Sequence, residues 1–213
     1  MSKNKLHVEV PTHIIRNEKF YISNQEFHLY AYLCFLYFRN FSEEELELDH
    51  LKLKNFLKIS DARTLKKRLD ALYKHNLIRN KIEKLPTKGT LKIIFNGDVK
   101  KDEMFCKMNP NIFTYFKNDQ IDSNGIRLAF YYKSHINEKE LASRDYCFVG
   151  FETLKERLKI GSTTISNAND SLKKAKLVKI KSHKLETSYD YDEDDALVFD
   201  RWNNHYHILA PLY

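Results

Sequence analysis

The period of the apolar positions changes along this chain, and each change marks an element. Phe27, Tyr30, Ala31, Cys34, Phe35 and Phe38 fall at helical spacing and predict a helix over residues 24–39. Asp49 stands where an N-cap belongs, ahead of a second helix that runs to Leu57. Residues 58–61 turn the chain. Ala62, Leu65, Leu69 and Leu72 are spaced 3, 4, 3 and set an inward stripe on a third helix over 62–75. "LIRNKIEK" and "TLKIIF" then read as two strands. They are joined across "LPTKG", whose Pro and Gly suit a hairpin turn.

The same plan returns about a hundred residues later. "HVEVPTHIIRNEKFYISNQEFHLYAYLCFLY" opens one copy and "FCKMNPNIFTYFKNDQIDSNGIRLAFYYKSH" the other. Pro11 and Pro110, Leu29 and Leu128, and Tyr32 and Tyr131 match at one offset of 99. "LKI" at 57–59 matches "LKI" at 158–160, Leu72 matches Leu172, and Leu77 matches Leu177. Helices are expected at 124–136, 151–158 and 162–175, with a hairpin from "LVKIKSHKLE" and "ALVFDRWNNHYHIL". Three helices followed by a hairpin is the order of a winged helix. The expected fold is therefore α+β and mostly helical, two winged-helix domains in tandem by internal duplication. The first domain spans 1–97, a polar linker 98–103, and the second domain 104–213.

Composition narrows the function classes. The chain has 213 residues with 42% hydrophobic and 13% aromatic content, which supports a packed core and excludes a disordered chain. The formal charge is +7, which points to an acidic partner, nucleic acid first. Cys34, Cys106 and Cys147 lie far apart among apolar residues, with no CxxC pair. They read as buried thiols of a reducing compartment rather than a zinc or redox motif. "MSKNKLHVEV" has no apolar leader, and the run "LYAYLCFLYF" is too short to span a bilayer. A cytoplasmic protein without membrane partners is expected, with no cofactor and no metal.

The third helix of each copy carries the candidate chemistry. Opposite the stripe of the first lie Ser60, Arg63, Thr64, Lys67 and Lys74, with Asp70 among them and Lys66 and Arg68 on the flanks. A helix-turn-helix places the N-terminal residues of this helix against base edges in the major groove. Arg63 has the chemistry for a guanine edge. Lys67 and Lys74 suit phosphates, which position the protein without reading sequence. In the second copy Ile165, Ala168, Leu172 and Ala175 face inward, and Thr163, Ser166, Asn167, Asp170 and Lys174 face out. That surface is polar rather than basic, and Asn167 suits an adenine edge. The first wing offers Lys81, Lys84, Lys88 and Lys92 to phosphate or minor groove. The second carries "SYDYDEDD", residues 188–195, which phosphate repels. Its acidic tip points away from DNA, or toward a basic surface of a second subunit.

In pattern, this tandem order resembles the replication initiators of plasmids and phages, in which two winged helices bind directly repeated sites near an origin. The entries "VPTHII…SNQEFHLYAYL" and "NPNIF…SNGIRLAFYY" are similar to the strand, Pro, helix entry of those domains. The resemblance implies a sequence-specific double-stranded DNA-binding protein rather than an enzyme. A transcriptional or copy-control regulator of the same fold is the alternative. A remoter one is a metal-dependent nickase of the His-hydrophobic-His class, since His205 and His207 share a strand face. Such an enzyme needs a tyrosine nucleophile; the chain ends six residues after His207, so a tyrosine upstream of the pair would have to supply it. A protein-interaction module, dimerising through the aromatic first helices or the acidic hairpin 188–195, is compatible with DNA binding.

Overall fold

A computed structural model describes residues 6–87, 89–100, 104–136, 145–184 and 202–213. It is an α+β chain with eight α-helices and small antiparallel sheets among the described residues. The first half runs β1 (Val8–Pro11), α1 (Thr12–Ile15), α2 (Asn24–Arg39), β2 (Glu45–Leu48), α3 (His50–Phe56), α4 (Ala62–Lys74) and β3 (Leu91–Ile94). The second runs β4 (Phe105–Met108), α5 (Asn111–Lys117), α6 (Ser123–Ser134), β5 (Tyr146–Phe148), α7 (Phe151–Leu158), α8 (Ser162–Lys174), β6 (Val178–Lys184) and β7 (Trp202–Ile208).

Local chemistry fixes the helix boundaries. Ser23 and Glu26 form a reciprocal capping box that starts α2: the Ser23 hydroxyl accepts from the Glu26 N–H at 3.3 Å, and the Glu26 carboxylate accepts from the Ser23 N–H at 2.7 Å. Asp49 caps α3 by accepting from Leu51 N–H at 2.9 Å, and Asp122 caps α6 by accepting from Gly125 N–H at 2.8 Å. After α3 the chain reverses through Lys58 in the left-handed region (φ 53°); after α7, Lys159 does the same (φ 52°). Each reversal swings the next helix across its predecessor.

The two central helices are buried nearly all round. Phe27, Leu29, Tyr30, Ala31, Leu33 and Cys34 of α2 are fully inaccessible. So are Ile126, Leu128, Ala129, Phe130 and Tyr132 of α6. Their N-terminal ends meet. Phe27 packs edge-on against Phe130 with ring centroids 5.4 Å apart, and Asn24 donates to Asn124 at 2.7 Å. The aromatic seam that reads from sequence as a dimer surface is thus filled inside the chain, half against half. One apolar cluster embraces both halves, and the three buried cysteines belong to it.

A second tie is the ladder between β1 and β4. It is antiparallel and pairs Val8 with Met108, Glu9 with Lys107 and Val10 with Cys106. One face buries the apolar members; on the other, Glu9 and Lys107 lie 3.5 Å apart. Of the expected linker, residues 98–100 lie in a 3-10 turn (Gly97–Lys100), and 101–103 fall outside the described residues. Asn96, just before it, is buried.

The sheets correct the sequence reading of the first hairpin. β3 pairs along its length with β2, and the backbone of residues 77–84 meets only its end, where Arg79 N–H donates to Ile94 C=O at 2.7 Å. The expected strand "LIRNKIEK" forms only an isolated bridge, Ile78 to Phe95. Asn80 replaces the rest of that ladder with its side chain: its amide donates to Lys92 C=O at 3.0 Å and accepts from Ile94 N–H at 2.7 Å. An Asn that satisfies the neighbouring backbone this way ends strand pairing. In the second half the order is β5–β7–β6, with β6 and β7 paired from Val178 opposite Ile208 to Lys184 opposite Trp202. The tip of that hairpin, including the acidic run 188–195, lies outside the described residues.

Candidate nucleic-acid interface

The turn 57–61 seats α4. Leu57 and Ile59 are buried, and Asp61 caps the helix by accepting from Arg63 N–H at 3.0 Å. Leu65, Leu69 and Leu72 are fully buried and hold the helix on the core. Ala62, expected in that stripe, is exposed instead: the first turn of the helix overhangs the core edge. Ser60, Arg63, Thr64, Lys67 and Lys74 all reach solvent on this one helix and its approach.

Two flanking cations are less available to a ligand. Lys66 forms an i,i+4 ion pair with Asp70 at 2.7 Å, so its charge is locally offset. Arg68 is half-buried, and desolvation lowers its pKa. The unengaged cations of α4 are therefore Arg63 at its start and Lys67 and Lys74 along one side.

α8 is built alike but presents different chemistry. Ile165, Ala168 and Leu172 are buried, with Ala175 packed at the edge. Thr163, Ser166, Asn167 and Lys174 are exposed. Asp170 pairs with Lys173 at 2.7 Å. Asn169, which sequence reasoning passed over, is buried and accepts from the Tyr132 hydroxyl at 2.8 Å. Exposed Lys176, Lys179 and Lys181 extend the basic surface from the end of α8 into β6.

The first wing is less basic than its sequence implies. Lys84 is exposed in the loop before β3, and Lys88 lies outside the described residues. Lys81 pairs with Glu83 at 2.7 Å. Lys92 sits between Glu45 and Glu47 at 2.8 and 3.2 Å, and these carboxylates raise its pKa. Both glutamates come from β2, the strand the sequence reading missed.

Sequence reasoning also missed the residues that tie each turn to the opposite half. Lys58 donates to Phe116 C=O at 2.8 Å, pairs with Asp119, and lies 4.8 Å from the Phe116 ring centroid. Lys159 lies over the Tyr21 ring at 4.4 Å, and Asn17 donates to the neighbouring Arg157 C=O at 2.9 Å. A cleft of about 360 Å³ opens at the first junction, lined by Lys58, Asp119, Asp122, Thr164 and Asn167 among others. It brings the turn of one half beside the outer face of α8.

Two buried polar side chains stand behind this seam. His28 lies among Phe56, Phe113 and Phe116, with Nδ1 3.1 Å from the Ser123 hydroxyl. Burial, then the charges of Arg68 and Lys58, push its pKa down to about 3. Arg127 donates to Ile14 C=O at 3.0 Å and to Asn17 Oδ1 at 2.7 Å, and stacks 4.1 Å from the Phe27 centroid. Full burial lowers its pKa to about 9.

His205 and His207 do share a face of β7. Tyr146 of β5 stacks on His205 at 4.0 Å, and His207 Nδ1 is 3.3 Å from Asp145. Among the described residues no group of three or more His, Cys, Asp or Glu is placed to hold a metal ion. Nor is any helix among them long and apolar enough to cross a membrane.

No known protein family, curated protein or solved structure matches this chain.

Proposed function

We propose that this chain is a sequence-specific double-stranded DNA-binding protein of the replication-initiation type, acting through two winged helices in tandem. The observation that carries the reading is the arrangement around α4 and α8. Each follows a short helix and a left-handed turn residue, and each precedes the outer strand of a small antiparallel sheet. In both halves the strand before the helix pair lies beside the last strand: β2 on β3, β5 on β7. On this reading the second half has the order helix, strand, helix, helix, hairpin of a winged helix, and the first half has the same order with the first arm of its hairpin reduced to the Ile78–Phe95 bridge, so that α4 and α8 are the reading helices. Arg63, Lys67 and Lys74 then face DNA from the first half, and Thr163, Ser166, Asn167 and Lys174 from the second.

The mechanism is recognition rather than reaction. Lys67, Lys74 and Lys174 meet phosphates and set the register of the protein on the duplex. Arg63 presents a two-pronged donor to a guanine edge, worth roughly 1–3 kcal/mol of discrimination. Asn167 offers one donor and one acceptor to adenine. The charge of +7 supplies attraction independent of sequence.

The test is retention of mixed-sequence duplexes by the full chain at low and physiological salt, with and without chelator. Retention that weakens with salt and ignores the chelator supports the reading. Absence of retention at low salt refutes it, and chelator-sensitive nicking favours the nickase. Mapping the bound site beside an origin rather than across a promoter tests the replication setting.

A further inference from the structure

The contacts between the halves are reciprocal. β1 and β4 open their respective halves, and they pair antiparallel with Glu9 opposite Lys107, each flanked along its strand by two buried apolar residues. The N-terminal ends of α2 and α6 meet through Asn24, the first residue after its cap Ser23, and Asn124, the second after its cap Asp122, one position off exact correspondence. The turn before α4 docks through Lys58 on Phe116, in the last turn of α5, and Asp119, in the α5–α6 connection. The turn before α8 docks through Arg157 and Lys159 on Asn17 and Tyr21, in the α1–α2 connection. The left-handed residues correspond as well: Lys58 with Lys159, and Asn17 with Asp119. When patch i of one unit meets patch j of the other, and j meets i, the units are related by a two-fold axis. An antiparallel ladder between corresponding strands has the same symmetry. A head-to-tail arrangement gives neither.

From this we infer that the cognate duplex of a single chain is an imperfect inverted repeat, one arm read by α4 and the other by α8. The inference rests on the DNA-binding reading above and adds to it the orientation of the site. Both reading helices begin at turns held against the opposite half, so both N-terminal ends start at the seam. Two-fold-related helices read opposite strands, which is why helix-turn-helix dimers bind palindromes with arms spaced by about 10 base pairs or a multiple. Here the symmetry lies within one chain and only the backbone plan shares it. Arg63, Thr64 and Lys67 face one arm; Thr163, Ser166 and Asn167 face the other. The arms therefore differ: guanine is favoured where Arg63 lands, and adenine where Asn167 lands. One chain suffices for one site.

A selection from a randomised 30-base-pair duplex library with the full chain tests this. Enriched duplexes are then remade with the second arm in inverted or direct orientation at the same spacing, and titrated with wild type, Arg63→Ala and Asn167→Ala. The expected result is a two-part motif bound by one chain. Direct orientation should weaken binding tenfold or more, each variant should lose preference in a different arm, and circular dichroism should show both variants folded. A motif of one contiguous element overturns the inference, as do direct-orientation duplexes bound equally well or two chains per site; the DNA-binding reading then stands. If no duplex is enriched and none is retained at low salt, that reading fails as well.

Discussion

Acidification should loosen this protein at the seam between its halves, through His28. In the fold His28 is packed among three phenylalanine rings and its pKa is depressed to about 3; unfolded, it titrates near the ordinary 6.5. Between those values the unfolded chain binds a proton that the folded chain refuses. The stability associated with His28 is thus fully present above pH 6.5, falls as the pH drops toward 3, and levels off below it. At about 1.4 kcal/mol per pH unit, the loss is about 0.8 kcal/mol at pH 6 and about 2 kcal/mol at pH 5. The assay is urea denaturation at pH 7, 6 and 5 for wild type and His28→Leu. Leucine keeps the apolar contacts and removes the proton site, so the difference between the two curves isolates His28 from the carboxylates. Wild type should lose about 2 kcal/mol more than the variant between pH 7 and pH 5. Equal losses would show that His28 is not held neutral, and the account of the seam would be wrong.

The remaining expectations concern α4. Leu69→Ala should cost roughly 2–5 kcal/mol in denaturant titrations, because Leu69 is fully buried and anchors the reading helix. Asp61→Asn keeps an N-cap acceptor while removing a negative charge beside Arg63, so thermal stability should hold and affinity for random duplex should rise; Asp61→Ala should instead lose about 1 kcal/mol of stability. Arg63→Ala should relax sequence preference by roughly 1–3 kcal/mol on cognate duplex while changing affinity for random duplex far less.

The helices were legible in the sequence because their signals are local. Asp49, the stripe Leu65, Leu69 and Leu72, and the 151–158 and 162–175 periodicities each sit within a few turns, and the structure places α3, α4, α7 and α8 within a residue or so of them. β2 was not legible: "ELEL" carries two glutamates on its open face, and only the later strand β3 gives it a partner. The first hairpin misled for the complementary reason. "LIRNKIEK" has strand-like alternation, but Asn80 uses its side chain to satisfy β3 and stops the ladder. The exposed candidates on α4 and α8 follow from the opposite face of each stripe. The neutralisation of Lys66 and Lys92 does not, because one depends on rotamer geometry and the other on β2. Lys58, read from sequence as a turn residue alone, gains its role only when the halves meet, and no pattern within one half can reveal that.

If exposed cations on α4 and α8 bind duplex DNA, a salt titration of wild type and Lys67→Ala will show it. Lys67, Lys74 and Lys174, each meeting one phosphate, predict a log–log slope of roughly −3 for wild type, and a slope shallower by about one for the variant. Duplex affinity that stays flat from low to physiological salt, or an unchanged slope in Lys67→Ala, would contradict the account.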